Sequence, residues 1–344
     1  MGIGRFDSLL LLSFGGPERP DDVMPFLRNV TEGRGVPDER LAVVAEQYAL
    51  FGGKSPINDL NRELLRSLQG ELAARGHDVP AFWGNRNWHP LVSDVVETLH
   101  TQGHKSTVCL VTSAFSSYSG CRQYHEDLDR ARSQVEGAPE IRRVRVFWNH
   151  PDFLETAAEL LAESRDKANL SKQTPVLHTA HSLPVSMAAT SDYESQLNQA
   201  ARIVHELAGM EGPNEVVYQS RSGPPSVPWL EPGIDGRLQQ LADDGITEVL
   251  VHPLGFVADH MEVLFDLDTQ ASGIAENLGM EMVRTPTVGT HPRFVSMMVD
   301  LVEEAAGLRE DRPTLGDAGP RPDVCSLDCC PAPSRPPRRV SQQP

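Results

Sequence analysis

Asp259, Glu262 and Asp266 fall three and then four residues apart in the stretch GFVADHMEVLFDLD (255–268), with His260 beside them. Met261, Leu264, Phe265 and Leu267 recur at helical spacing, so the stretch reads as a helix from Asp259 onward. On an α-helix the three acids share an arc of roughly 60°. Like charges one turn apart weaken a helix by about 0.2–0.5 kcal/mol, a cost that an alternation of Glu and Lys avoids. A row of carboxylate oxygens beside an imidazole suits the transit of a divalent cation. A solvated helix face is the plainer alternative.

A second imidazole, His181, closes the apolar run VLHTAH of PVLHTAHSLP, in the same half of the chain. Both stretches follow a strand-like segment, so their side chains are expected on one rim. That rim collects Phe14, Gly15 and Gly16 after the first strand, then Trp88 and His89, then Ser113 to Ser119. In the second half it collects His181 and Ser182, Gln219 and Ser220, and finally His252, His260 and Glu262. No P-loop, HExxH, nucleophile elbow or dinucleotide glycine fingerprint is present, which excludes the chemistries they support.

The elements that must position these groups alternate. Short β-branched or leucine-rich runs such as SLLLLSF, STVCLVTS, VRVFWNH, EVVYQS and EVLVHP are separated by amphipathic stretches. Such alternation predicts an α/β fold with parallel sheets flanked by helices, whose ligands sit beyond the carboxyl ends of the strands. About four strands on each side of a break near residue 150 predict two similar domains, 1–150 and 151–310, with a cleft between them. The remainder, 311–344, holds eight prolines and few apolar residues, and is expected to be disordered or pinned by its cysteines.

A net charge of −17 argues against nucleic acid and against anionic membrane surfaces as partners. No apolar run reaches the length of a membrane span, and the first strand lacks a cleavage site, so a cytoplasmic protein is expected. Five cysteines without a secretory signal speak against disulfides. Cys325, Cys329 and Cys330 crowd into six residues, whereas Cys109 sits inside an apolar run and reads as core.

LLLLSFGGPE, FGGKSPIN, GNRNWHP, TSAFSSYSGCRQY, HTAHSLP, YQSRSGP and PLGFVADHMEVLFDLD occur in that order, and together they resemble the ferrochelatase family over residues 8–305. The variant resembled is the actinobacterial type that works on coproporphyrin III in haem biosynthesis. The resemblance implies two Rossmann-like, chelatase-type domains clamping a porphyrin, and a lyase that inserts Fe²⁺. It places the catalytic and metal-binding pair on His181 and Glu262. It places porphyrin contacts on Ser55, Tyr124, Tyr48, Phe14 and His89, and a metal path on Asp266 and His260. Phe14 stands where some members carry a ligating Tyr, so His181 is expected to be the strong ligand on one face. The resemblance further implies a [2Fe–2S] cluster on Cys121, Cys325, Cys329 and Cys330. Arg28 and Arg34 are candidates for porphyrin propionates.

His181, with an ordinary pKa near 6.5, is the sensible acceptor of the pyrrole protons that leave as iron enters. Glu262 shares that role or hands in the metal. Coproporphyrin III and ferrous iron are the expected partners, with no integral membrane association and a monomeric chain. The alternatives are a protoporphyrin IX ferrochelatase, a chelatase for another divalent metal, or a non-catalytic tetrapyrrole- or iron-binding protein.

Overall fold

The computed structural model describes residues 2–223, 226–326 and 328–332. Two four-stranded sheets form, each entirely parallel. The first has the order β2-β1-β3-β4, from β1 (Ser8–Ser13), β2 (Ala81–Asn85), β3 (Ser106–Val111) and β4 (Glu140–Arg143). The second repeats it as β6-β5-β7-β8, from β5 (Val176–His181), β6 (Asn214–Gln219), β7 (Glu248–His252) and β8 (Glu281–Arg284). The expected two-sheet α/β architecture is thus observed.

The helices of the first half are α1 (Val23–Val30), α2 (Asp38–Ala49), α3 (Ile57–Ala74), α4 (Val92–Thr101) and α5 (Gln123–Ser133). Those that follow are α6 (Pro151–Lys167), α7 (Val185–Ala188), α8 (Tyr193–Leu207), α9 (Ile234–Asp243), α10 (Met261–Val263), α11 (Ser272–Asn277) and α12 (Pro292–Ala306). Two π-helical segments, Tyr118–Arg122 and Leu264–Ala271, precede α5 and α11.

Every residue of β1 is buried, as a central parallel strand covered on both faces requires. Leu10 and Leu12 meet Val92, Val95, Val96 and Leu99 of α4. Leu9 and Leu11 point the other way, into the core holding Leu64, Leu68 and Leu72 of α3. Each such leucine contributes about 1.5–3 kcal/mol by leaving water. The last helix, α12, crosses back to pack on α3 and β3 as well as α6, so one apolar core runs through both halves.

Three elements differ from the expectations. The run VRVFWNH is not a strand: β4 ends at Arg143, and after Val144 donates to the Cys109 carbonyl (3.0 Å) its neighbour β3 soon runs out. Phe147 and Trp148 instead plug the core. α2 is not foreseen, because only Leu41 and Tyr48 of its residues are buried and no apolar stripe marks it. The helix read from Asp259 onward begins two residues later, and most of it is π-helical.

Candidate active site

β5 ends on His181, and the geometry there settles which nitrogen is free. Nδ1 lies 2.5 Å from the Ser182 carbonyl oxygen, which can only accept, so Nδ1 carries the proton. In the neutral ring Nε2 then holds a lone pair, and it faces the Glu262 carboxylate at 3.7 Å. Tyr193 at the start of α8 steadies this strand end by donating its hydroxyl to the His181 carbonyl (3.1 Å). Glu262 sits in the first turn of α10, where His260 is the N-cap and accepts from the Glu262 N–H (3.2 Å).

Burial alone would depress the His181 pKa, but the Glu262 carboxylate outweighs it, helped by the Ser182 carbonyl and Asp266, and the net shift is upward. Burial pushes Glu262 up, and His181 more than reverses this, holding the carboxyl at about 2. Two unit charges about 4 Å apart attract by about 4 kcal/mol at an effective dielectric of 20, before solvent reduces it. A carboxylate this close therefore stabilises the imidazolium once the ring has taken up a proton.

Asp266 continues outward from Glu262. Burial raises its pKa to about 6, against the hydroxyl of Ser220, while the Glu262 charge adds to the rise. Ser220 donates to Asp266 from a left-handed backbone (φ +62°), and the Gln219 amide donates to the Glu262 carbonyl (3.2 Å) and to Asp266 (3.4 Å). A non-glycine residue in that conformation costs about 1–2 kcal/mol, and such strain gathers at functional sites. His260 has its Nδ1 occupied by the cap and its ring against Phe256, 4.9 Å between centroids. Asp259 does not join the row. It lies outside the helix and is paired with Arg284 (3.2 Å).

The first half supplies the facing wall. Tyr48, Phe26 and Leu41 share an apolar cluster with Met261, Phe265 and Trp88, so the carboxyl-end loops of both sheets meet there. Tyr48 is buried and its hydroxyl is pushed up, first by burial and then by the Glu262 charge. Phe14 is 36% exposed beside Phe26 (6.2 Å between centroids), and His89 is exposed near Asp94 (3.7 Å). Ser55 is buried beneath the turn after β1: a Cβ added at Gly16 would lie 2.8 Å from its own Cβ, so only glycine permits that approach. Tyr124 lies deeper in the first half. It is 4% exposed, packed with Leu10, Leu12 and Val96 under the Arg86 guanidinium. Tyr118, in the π-turn before α5, is half-buried nearby. Arg28 is held by Asp38 (2.7 Å) and Arg34 is exposed. Tyr193 is not singled out in the sequence, and the sequence puts Gln219 and Ser220 on the rim without the Glu262 and Asp266 partners, more than 40 residues away, that they meet here.

Away from the cleft, Cys121, Cys325, Cys329 and Cys330 line one cavity of about 200 Å³. The sulfurs of Cys329 and Cys330 are 3.7 Å apart. The neighbouring Cys325 comes first in drawing the Cys121 thiol down, against burial and with help from Arg143. The four thiols share this cavity with Arg122, Arg132, Arg142 and Arg143, a donor set and surrounding charge whose chemistry fits an anionic iron–sulfur group. Cys109 lies in β3 and burial pushes its thiol up to about 12, as a core residue.

Two parallel sheets of matching order, with an imidazole–carboxylate pair at their carboxyl ends, define a protein of the two-lobed chelatase class. The fold resembles the siroheme-biosynthesis enzyme CbiX of denitrifying bacteria (TM-score 0.53, 14% identity, 87% of this chain and 99% of that one). It likewise resembles SirB from Bacillus subtilis (TM-score 0.52, 12% identity, 87% and 95%). The Ferrochelatase family profile matches residues 7–306, and the chain belongs to the ferrochelatase family. It is 48% identical to a ferrochelatase of Rhodopirellula baltica, over 96% of this chain and 95% of that one. It is 47% identical to the coproporphyrin III ferrochelatase of Frankia alni, over 98% and 90%. With that of Streptomyces coelicolor it shares 45%, over 95% and 94%.

Proposed function

We infer that this ferrochelatase inserts Fe²⁺ into coproporphyrin III, yielding coprohaem for haem synthesis. The curated relatives bearing that substrate in their names support the porphyrin, and the water-soluble, four-propionate macrocycle suits a chain whose described helices include none long and apolar enough to cross a membrane. The observation that carries the chemistry is the facing of His181 Nε2 and Glu262 across 3.7 Å.

In this reading the cleft walls, Phe14 and Tyr48 among them, hold the ring bent, so that its nitrogen lone pairs leave the ring plane. His181 Nε2 accepts a pyrrole proton while Nδ1 stays committed to Ser182. Glu262 stabilises the resulting imidazolium and offers an oxygen to the incoming cation. Asp266, held by Ser220 and Gln219, and then His260 lead Fe²⁺ toward the pair. Phe14 has no donor atom, so the chain offers no axial oxygen there. His89, exposed on the rim, is assigned a contact at the porphyrin's edge.

Cys121, Cys325, Cys329 and Cys330 hold a [2Fe–2S] cluster, which supplies one-electron redox chemistry and ties the tail to the body. The chain divides near residue 150 into the two expected units, with 311–344 as the tail. Its unpaired thiols suit the cytoplasm.

The deciding experiment adds Fe²⁺ anaerobically to the protein with excess coproporphyrin III or protoporphyrin IX and counts metallated porphyrin per chain. Many turnovers, faster with coproporphyrin III, are expected. Metallation that stops near one per chain points to a carrier, and preference for protoporphyrin IX overturns the substrate assignment.

A further inference from the structure

Arg143, the last residue of β4, points its guanidinium at one residue only. Nη1 donates to the carbonyl oxygen of Cys121 (3.0 Å) and reaches its sulfur at 3.6 Å. The neighbouring cations of the cavity are otherwise engaged. Arg122 pairs with Glu126 (3.2 Å) and Arg142 with Asp323 (3.2 Å), while Arg132 donates to the Pro139 carbonyl (2.9 Å). Among the described residues no carboxylate lies within 4.0 Å of Arg143, although it is half-buried. A partly buried guanidinium without a carboxylate is costly unless another anion answers it.

We propose that Arg143 is a positioning residue for the cluster, clamping the Cys121 ligand through its carbonyl and donating to its sulfur, and thereby raising the cluster's reduction potential. This rests on the reading that the four thiols hold a [2Fe–2S] group. With four thiolates such a group is doubly negative when oxidised and gains another negative charge on taking up one electron. A donor and positive charge at a ligand sulfur favours the more negative state. The register of β4 with β3 is fixed by the Arg143–Cys109 pairing, so the guanidinium is placed by the sheet and not by the tail.

The test is an anaerobic redox titration of purified full-length protein with dithionite, read by bleaching of the visible absorption. Wild type is compared with Arg143→Leu, Arg143→Gln and Arg132→Leu. At the wild-type midpoint, Arg143→Leu should shift the reduced-to-oxidised ratio about tenfold toward oxidised, ~59 mV for one electron. Arg143→Gln, which keeps a donor without the charge, should fall between, and Arg132→Leu should stay near wild type. If Arg143→Leu fails to assemble the cluster, Arg143→Gln decides alone. A loaded variant titrating at the wild-type midpoint overturns the role of Arg143 while leaving the cluster standing. Wild-type protein with neither iron nor sulfide overturns both.

Discussion

Neutral His181 has one lone pair to give, at Nε2, because the Ser182 carbonyl holds the proton on the other nitrogen. Its pKa lies above the ordinary 6.5, since the Glu262 carboxylate outweighs burial. The base form is therefore lost as pH falls through a value above 6.5, and the acid limb of kcat should inflect there. Glu262→Gln removes the largest opposing charge and leaves burial, so whatever activity remains should show that limb moved to lower pH. A wild-type limb below 6.5, or one indifferent to Glu262→Gln, would contradict the pairing. Of these residues, His181 and Glu262 were legible in sequence because each sits in a short motif at a strand's end.

A wider helix explains the carboxylate row. Glu262 lies in a single α-turn and Asp266 in the π-helix Leu264–Ala271, so the row follows a wider turn than an α-helix gives, and Asp259 drops out before it begins. β6 supports this element at its end, where Gln219 and Ser220 bond to Glu262 and Asp266. A hydrogen bond to a charged group is worth about 1.5–3 kcal/mol. Ser220→Ala should accordingly raise KM for Fe²⁺ about tenfold or more with KM for porphyrin and kcat little changed, and Ser220→Asn, which tolerates a left-handed backbone and keeps a donor, should restore it. Equal losses in both KM values and in kcat would show a merely structural role. The strands and most helices were legible because apolar periodicity records which face is buried. α2 and the end of β4 were not, because a weak stripe and the ending of a neighbouring strand leave no such record.

At the scale of the molecule, α12 and the segment after it bind the halves together. Arg145, before α6, makes a bidentate pair with Glu304 on α12 (2.8 and 3.0 Å), both side chains nearly inaccessible. Removing one partner strands a buried charge, at about 3–5 kcal/mol. Glu304→Ala should lose that much stability in urea unfolding, and a loss under 1 kcal/mol would refute the importance of this junction. Beyond α12, Arg309 pairs with Asp300, Arg321 reaches Asp192 (2.8 Å) and Asn149 donates to the Gly319 carbonyl (2.9 Å). The tail's composition alone left it either disordered or pinned, and these long-range pairs are invisible to spacing. Residues 333–344 of that tail lie outside the described residues. The central claim is that the two halves bring one imidazole–carboxylate pair to a porphyrin, and His181→Ala tests it most directly. Porphyrin binding, followed by fluorescence, and iron insertion should be measured on the same anaerobic sample. Binding near wild type with insertion below a hundredth of wild type is predicted. More than a tenth of the wild-type insertion rate would contradict the account.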